Sequence, residues 1–255
     1  MNICIDVGNS TIGIGVFKDN TLVERMVINT DARFTEDEFY QIFKKPFAHV
    51  EKGKGLIDNI IFSSVVPQIN LPLLNALKKL TPCEPILIGP GTKTGLSIRV
   101  DNPLEIGNDL IADLVGAKEK FGYPTLIADL GTASKILLLD QSGTFVSCLI
   151  MPGLTLSAQS LSDKAALLPE VSLIAPSSIM AKNTLTAMNA GIVYGHADMI
   201  LGLINRYEKE LGYPCQHILT GGGAVYVKDI LKDDFIYDQN LNLDGLNIII
   251  NKNLK

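Results

Sequence analysis

The chain opens on an apolar run, Ile3-Cys4-Ile5, that breaks at Asp6-Val7-Gly8-Asn9-Ser10-Thr11 and resumes as Ile12-Gly13-Ile14-Gly15-Val16-Phe17. It then turns at Asp19-Asn20 and continues as Thr21-Leu22-Val23. Apolar β-rich runs separated by turn dipeptides predict a β-hairpin extended by a third strand. The arrangement returns further on. Leu126-Ile127-Ala128 breaks at Asp129-Leu130-Gly131-Thr132-Ala133-Ser134, resumes as Ile136-Leu137-Leu138-Leu139, turns at Ser142-Gly143 and continues as Thr144-Phe145-Val146. The two stretches align without a gap at an offset of 123 residues, Asp6 onto Asp129. Self-similarity at this scale predicts two copies of one structural unit. If they face each other, they form a cleft with an acidic turn on either side.

The remaining pattern divides along the same lines. Thr35-Glu36-Asp37-Glu38 has the form of a capping box, so a helix is expected from Thr35 to about Lys45, where Pro46 stops it. A strand over Asn59–Val66, an amphipathic helix over Leu71–Leu80 with Pro72 in its first turn, and a strand over Pro85–Ile88 follow. The pattern is helical again from Leu110 to Phe121, which places the junction near residue 115 and the domains at 1–115 and 116–255. In the second half a helix is expected from Asn183-Thr184 to about Leu211. A short strand, His217–Thr220, then empties into Gly221-Gly222-Gly223, with a further helix over Val227–Leu231.

Composition narrows the function. The 255 residues are 47% hydrophobic and 19% charged, with 22 Lys and Arg against 27 Asp and Glu, a formal charge of −5. Such a chain has no general attraction for nucleic acid or an anionic membrane. No unbroken apolar run reaches the roughly 18 residues of a membrane span, and an acid stands where a signal peptide would be apolar. The expectation is a cytoplasmic protein with neither nucleic acid nor membrane as a partner. The four cysteines are far apart and the three histidines match no zinc spacing, so buried thiols are expected.

The repeated turns carry the candidate chemistry. Glycine in Asp-x-Gly removes the Cβ that would obstruct a ligand, and the hydroxyls and N–H groups that follow can receive phosphate oxygens. An acid at a strand end beside that turn is placed to hold a divalent cation bridging the phosphates. Two tight hairpins whose Asp merely satisfies turn amides would read the same way. The three glycines after Thr220 admit a flat ligand or a phosphate, or form a plain loop. Asp109 opens a helical pattern after Gly107-Asn108, where an acid is favoured by the helix dipole whatever its function.

Taken in order, these elements resemble the superfamily of acetate and sugar kinases, heat-shock chaperone ATPases and actin, and more narrowly the type III pantothenate kinase family. The resemblance rests on Asp6-Val7-Gly8-Asn9-Ser10, Asp101-Asn102-Pro103-Leu104-Glu105-Ile106-Gly107-Asn108-Asp109 and Asp129-Leu130-Gly131-Thr132-Ala133. It continues through Pro152-Gly153-Leu154, Leu167-Leu168-Pro169, Asn183-Thr184, Gly191-Ile192-Val193-Tyr194-Gly195 and Thr220-Gly221-Gly222. It implies an α/β fold of duplicated ribonuclease H-like, actin-like ATPase domains with mixed sheets flanked by helices and a cleft between. The implied activity is transfer of the ATP γ-phosphate to pantothenate, giving 4′-phosphopantothenate for coenzyme A synthesis, by a homodimer using Mg²⁺ and K⁺ or NH₄⁺.

On this resemblance Asp109 is the catalytic base and Asp6 and Asp129 hold the metal. ATP phosphates meet Asp6, Gly8, Asn9, Ser10, Thr11, Gly131, Thr132, Ala133, Ser134, Gly221 and Gly222. The acceptor meets the positions of Val100, Gly107, Asn108, Asp109, Leu110 and Thr184. The chain departs from the family pattern at Leu110, where an arginine is usual, at Val100 for tyrosine, at Ser147-Cys148 for paired glycines, and at Ser134-Lys135 in the second turn. Lys135 is expected at a solvated strand edge, or as a compensating cation near the phosphate loop. Because the departures gather in the acceptor half, a kinase with another acceptor and a nucleotide-binding regulator without turnover both stay open.

Overall fold

Eleven strands and six α-helices alternate along residues 1–254, the part of the chain described by the computed structural model. The first sheet runs in the order β3-β2-β1-β4-β5, from β1 (Asn2–Val7), β2 (Thr11–Lys18), β3 (Thr21–Asn29), β4 (Asn59–Ser64) and β5 (Ile86–Leu87). The second runs β11-β10-β7-β8-β9-β6, from β6 (Ser97–Ile98), β7 (Thr125–Leu130), β8 (Ala133–Leu139), β9 (Thr144–Pro152), β10 (Gln216–Thr220) and β11 (Ile236–Tyr237). Apart from the added edge strand β6, the two orders are the same. In each, an antiparallel meander is extended by a parallel strand beside its first member, β4 on β1 and β10 on β7. The repeat in the sequence is therefore a repeat of topology, and β1 and β3 superpose on β7 and β9 in numbering at the offset of 123 residues.

The chain divides into two compact units. The first comprises Met1–Leu96, Asn102–Gly116 and the C-terminal segment from Leu241; the second comprises Ser97–Asp101 and Ala117–Asn240. The sequence reading ran the second domain to the C-terminus, whereas helix α6 (Leu241–Asn253) packs on β1, β2 and β4 of the first unit.

Period-two alternation in β1 sorts its side chains to two faces. Ile3, Ile5 and Val7 meet Phe39, Phe43 and Phe47 of α1 (Glu36–Lys54) and Leu73 and Leu77 of α2 (Pro67–Leu80). Cys4 goes the other way, with Ala112 and Val115 of α3 (Asn108–Phe121) and Leu246, Ile249 and Ile250 of α6. In the second unit Leu126, Ala128 and Leu130 lie under α4 (Leu154–Lys164) and α5 (Thr184–Leu211), which contribute Leu154, Ile192, Val193, Ala197 and Ile200. Helix α5 is long and apolar enough to cross a membrane, but this apolar face is core.

Several elements differ from expectation for physical reasons. The capping box at Thr35 is present, but α1 passes Pro46 and runs to Lys54. An interior proline costs a helix about 3 kcal/mol, which burial of Phe47 and Val50, at about 1.5–3 kcal/mol each, offsets. Helix α2 starts at Pro67 rather than Leu71, using that proline in its first turn. The helix expected over Val227–Leu231 is replaced by a 3₁₀ turn over Gly222–Tyr226.

Helix α6 left no pattern because its sequence holds Gly245 and four asparagines, all weak helix formers. Tertiary contacts hold it instead. The Asn2 amide donates to Asn247 (2.9 Å) and Asn251 (3.0 Å), whose own amides donate to Asn20. Gly245 lies against α3 so closely that a Cβ there would stand 1.9 Å from the Ala112 carbonyl oxygen, and one on Gly116 would stand 2.5 Å from that of Leu241. Gly245→Ala is therefore expected to destabilise the protein by about 3 kcal/mol or more in thermal or urea unfolding. Gly202→Ala, where nothing lies within 4 Å of the added methyl, is expected to be neutral or to stabilise by about 1 kcal/mol.

Candidate functional site

Asp6 is the penultimate residue of β1 and stands opposite Ser63 of the parallel strand β4. The Ser63 hydroxyl donates to Asp6 Oδ1 at 2.5 Å. The turn that follows closes through the Gly8 N–H on the Thr11 carbonyl (3.0 Å). Thr30, at the end of β3, secures it from behind: its N–H donates to Ser10 O (3.0 Å) and its hydroxyl to Gly8 O (2.7 Å). Asn9, Ser10 and Thr11 are exposed. Neither Ser63 nor Thr30 was singled out from the sequence; each marks only a polar strand end.

Asp109 is the second residue of α3. Its carboxylate folds back over Gly107, where a Cβ would stand 2.4 Å from Asp109 Oδ1, so glycine at 107 is a condition of this rotamer. The side-chain amide of Asn242 on α6 donates to the Asp109 carbonyl at 3.0 Å. Beside this turn is a cavity of about 700 Å³, lined by Gly107 and Asn108 together with Ser64, Val65, Gly89 and Pro90. The end of β4 joins the two features: Ser63 holds Asp6, and Val65 lies 3.8 Å from a Cβ position on Gly107. Within the first unit the structure thus brings the first acidic turn and the Gly107–Asp109 turn to the same strand end. Leu110, read as an acceptor position, is 7% exposed.

In the second unit Asp129 stands opposite Thr220 of β10 and opposite Lys135 of β8. Three glycines let the backbone close around it. Gly221, at φ +89, leaves 2.6 Å between a Cβ position and Asp129 Oδ1. Gly153 donates its N–H to Thr132 O (3.1 Å), and a Cβ there would stand 2.3 Å from Gly131 O. Gly223 approaches Leu130 O in the same way. Gly222 is different, being exposed with nothing within 4 Å of a Cβ position among the described residues. The Gly-Gly and Pro-Gly elements therefore pack against the acidic turn, and Gly222 alone leaves open space. Thr132 is exposed and Ala133 half-buried. Val100 follows β6 and Thr184 opens α5, both in this unit, Thr184 exposed.

Two side chains of the second turn depart from expectation. Ser134 is fully buried, and its hydroxyl shares a 2.8 Å hydrogen bond with His196 Nε2 on α5, so it faces the core rather than a phosphate. Lys135 is no solvated edge residue: its Nζ sits 2.9 Å from Asp129 Oδ2, with only 17% and 12% of the two side chains exposed.

Magnesium bound with nucleotide phosphates needs only one or two carboxylates from the protein, since phosphate oxygens and waters complete the shell. Asp6, a strand-end carboxylate that accepts from the Ser63 hydroxyl, fits that demand. Asp129 does not, because one oxygen already holds an ammonium and the other lies against Gly221. Among the described residues no three His, Cys, Asp or Glu side chains gather as a metal cluster.

A duplicated meander-plus-parallel-strand sheet with acidic glycine turns at its strand ends is the architecture of the sugar-kinase and actin class. The comparisons with known proteins narrow it. The family described as type III pantothenate kinase matches over residues 2–206. A type III pantothenate kinase of Exiguobacterium sibiricum is 38% identical over 253 residues, covering 99% of this chain and all of the relative. One of Halalkalibacterium halodurans is 35% identical over 254 residues, covering both chains in full. The crystal structure of a Baf family protein from Campylobacter jejuni shares the fold at a TM-score of 0.61, 20% identity and 98% coverage of each chain. The chain belongs to the type III pantothenate kinase family.

The buried His196 gives the second turn a pH dependence. Desolvation pushes its pKa below the ordinary 6.5, so the unfolded chain binds more protons than the folded one once pH falls below that value. Stability is then expected to be full above pH 6.5 and lost as pH falls toward the folded pKa. In thermal unfolding between pH 8 and about 5.5, His196→Gln is expected to flatten this acid-side loss while lowering stability at pH 8 by about 1–3 kcal/mol for the disturbed Ser134 bond.

Proposed function

We infer that this chain is a cytoplasmic pantothenate kinase that transfers the γ-phosphoryl group of ATP to the primary hydroxyl of pantothenate, the reaction of its family. The observation that carries the reading is the family match over residues 2–206, a span that contains both acidic turns and Asp109. Phosphoryl transfer asks a protein for positioning and charge neutralisation more than covalent chemistry. The amides and hydroxyls of Gly8–Thr11 and the open backbone at Gly131–Ala133 and Gly222 receive phosphate oxygens. Asp6 would hold magnesium, which when bound would supply positive charge at the phosphates. K⁺ or NH₄⁺ belongs to the same reading.

The acceptor occupies the cavity beside Asn108. Asp109 takes the proton of its hydroxyl as the oxygen forms its bond to the γ-phosphorus, and the bond from that phosphorus to the bridging oxygen breaks to release ADP. Gly107 holds the base in place by leaving room for its carboxylate. Asp109→Asn is expected to lower kcat by about 10²–10⁴-fold, with the KM for ATP changed little. Gly107→Ala is expected to lower kcat at unchanged fold, because the base is displaced. Both are read by coupled ADP release with Mg²⁺ and K⁺ or NH₄⁺ present, and the product by its mass. A wild-type protein that consumes ATP without forming phosphopantothenate would refute this acceptor.

Homodimerisation is part of the proposal. Ile150, Leu156, Leu161, Ile179, Met180 and Leu185 of the second unit are exposed large hydrophobic residues, and Leu156 and Leu161 line one groove with Met188, Ile192 and Met199, a surface suited to association with another protein. Light scattering is expected to give twice the chain mass of 27.6 kDa, and Leu156→Asp to shift it toward the monomer.

A further inference from the structure

We propose that the cavity beside Asp109 takes acceptors whose far end is uncharged, such as N-substituted amides of pantothenate, as readily as free pantothenate with its carboxylate. The proposal deepens the kinase reading and rests on it. Its ground is the cavity wall, which carries a carboxylate of its own and has most of its donors already engaged.

The charges come first. Among the described residues that line the cavity, all of them in the first unit, none is Lys, Arg or His, and the charged side chain is Glu105. The Asn102 side-chain amide donates to Glu105 Oε1 at 2.7 Å and so steadies that carboxylate at the wall. An anionic acceptor brings a second negative charge to it. Asp109, in the first turn of α3, adds another close by. That acid also opposes the positive end of the α3 dipole, which would otherwise attract an anion.

Backbone N–H groups can receive a carboxylate in place of a cation. At this wall they are largely used. The N–H of Val65 donates to Val7 O (3.0 Å), that of Ile88 to Phe62 O (2.9 Å) and that of Gly89 to Thr92 Oγ1 (3.1 Å). Those of Glu105 and Ile106 close on Asn102 O (3.2 Å) and Pro103 O (3.4 Å), and that of Leu104 on Asn102 Oδ1 (3.3 Å). Pro90 has none to give. The Ser64 hydroxyl is turned onto its own backbone, donating to Val66 O (3.3 Å) and accepting from the Val66 N–H (3.1 Å).

What the wall does offer suits a neutral group. The Asn108 side chain holds both donors and an acceptor, which an amide can use in full and a carboxylate only in half. Leu104 is 86% exposed, so an alkyl substituent on the acceptor can cover apolar surface that water otherwise meets. The transfer itself is unaltered. The acceptor hydroxyl oxygen forms its bond to the γ-phosphorus, its proton passes to Asp109, and the bond to the bridging oxygen breaks to release ADP.

The test compares initial rates of ADP release with ATP, Mg²⁺ and K⁺ for three acceptors: pantothenate, panthenol, in which an alcohol replaces the carboxylate, and the N-propyl amide of pantothenate. Product masses verify one added phosphoryl group. The better of the two uncharged acceptors is expected to show a kcat/KM within about threefold of pantothenate or above it. The KM for pantothenate is expected to fall about twofold as ionic strength rises from about 0.02 to 0.2 M, because salt screens the like charges. Glu105→Gln is expected to lower the KM for pantothenate about threefold relative to that for panthenol.

A kcat/KM for both uncharged acceptors more than about threefold below that of pantothenate would overturn the proposal and leave the kinase reading standing. Uncharged acceptors phosphorylated with pantothenate left untouched would uphold the proposal and sink pantothenate as the substrate. No phosphorylated product from any of the three would overturn both.

Discussion

The crossing of α3 and α6 is the contact on which the first unit depends. Backbones meet there without side chains between them, at Gly245 against the Ala112 carbonyl and Gly116 against that of Leu241. Close approach of this kind multiplies small dispersion contacts along two helices and tolerates no added atoms. Its geometric consequence is that a weakly helical C-terminal segment, remote in sequence, covers one face of the first sheet and buries Cys4 and Ile61. It also places Asn242 on the Asp109 carbonyl. The last segment of the chain thus fixes the first turn of the helix that presents the proposed base.

Duplication supplies the rest of the architecture, and the difference between the copies supplies its chemistry. Each copy ends its central strand in an acid beside a parallel neighbour whose facing residue bears a hydroxyl, Ser63 in one and Thr220 in the other. The link from β7 to β8 is one residue shorter than that from β1 to β2, which changes the side chain that crosses from the adjacent strand: Gly13 faces Asp6, and Lys135 faces Asp129. In a sheet, such a shift reverses every following side chain unless the register is recovered. Recovery comes in the hairpin turn that follows, where Phe17 and Leu22 pair across four intervening residues in the first copy and Leu139 and Phe145 across five in the second. The third strands accordingly return to the common offset.

The sequence made both acidic turns, their strands and the long helix from Thr184 legible, because apolar period and turn chemistry are local properties. Partners across strands are not local. Lys135 read as a solvated edge residue or a compensating cation because polarity at a strand position does not say whether the side chain meets water or the acid facing it across the ladder. Ser134 read as a phosphate ligand because its place after Gly131-Thr132 matched Thr11 of the first copy in an alignment that conceals the one-residue slip. Pro46 read as a stop because the burial of Phe47 and Val50 that carries α1 onward is a tertiary fact. Ser63 and Thr30, which steady the first turn, gave no signal beyond polarity at a strand end.

Leu110 shows how a departure from the family pattern distributes its cost. Successive helix residues are rotated by about 100°, so residue 110 points well away from Asp109, and here it is buried. An arginine at that position would have to run its stem along the buried surface to bring its guanidinium back to the acceptor. Leucine replaces that excursion with ordinary core packing. On the resemblance, what is lost is a charged hydrogen bond to an anionic acceptor, about 1.5–3 kcal/mol, or roughly tenfold or more in affinity. Because the carboxylate of the acceptor carries the same charge before and during phosphoryl transfer, this interaction stabilises ground and transition states alike. Its absence therefore falls on the KM for the acceptor and leaves kcat to the geometry around Asp109.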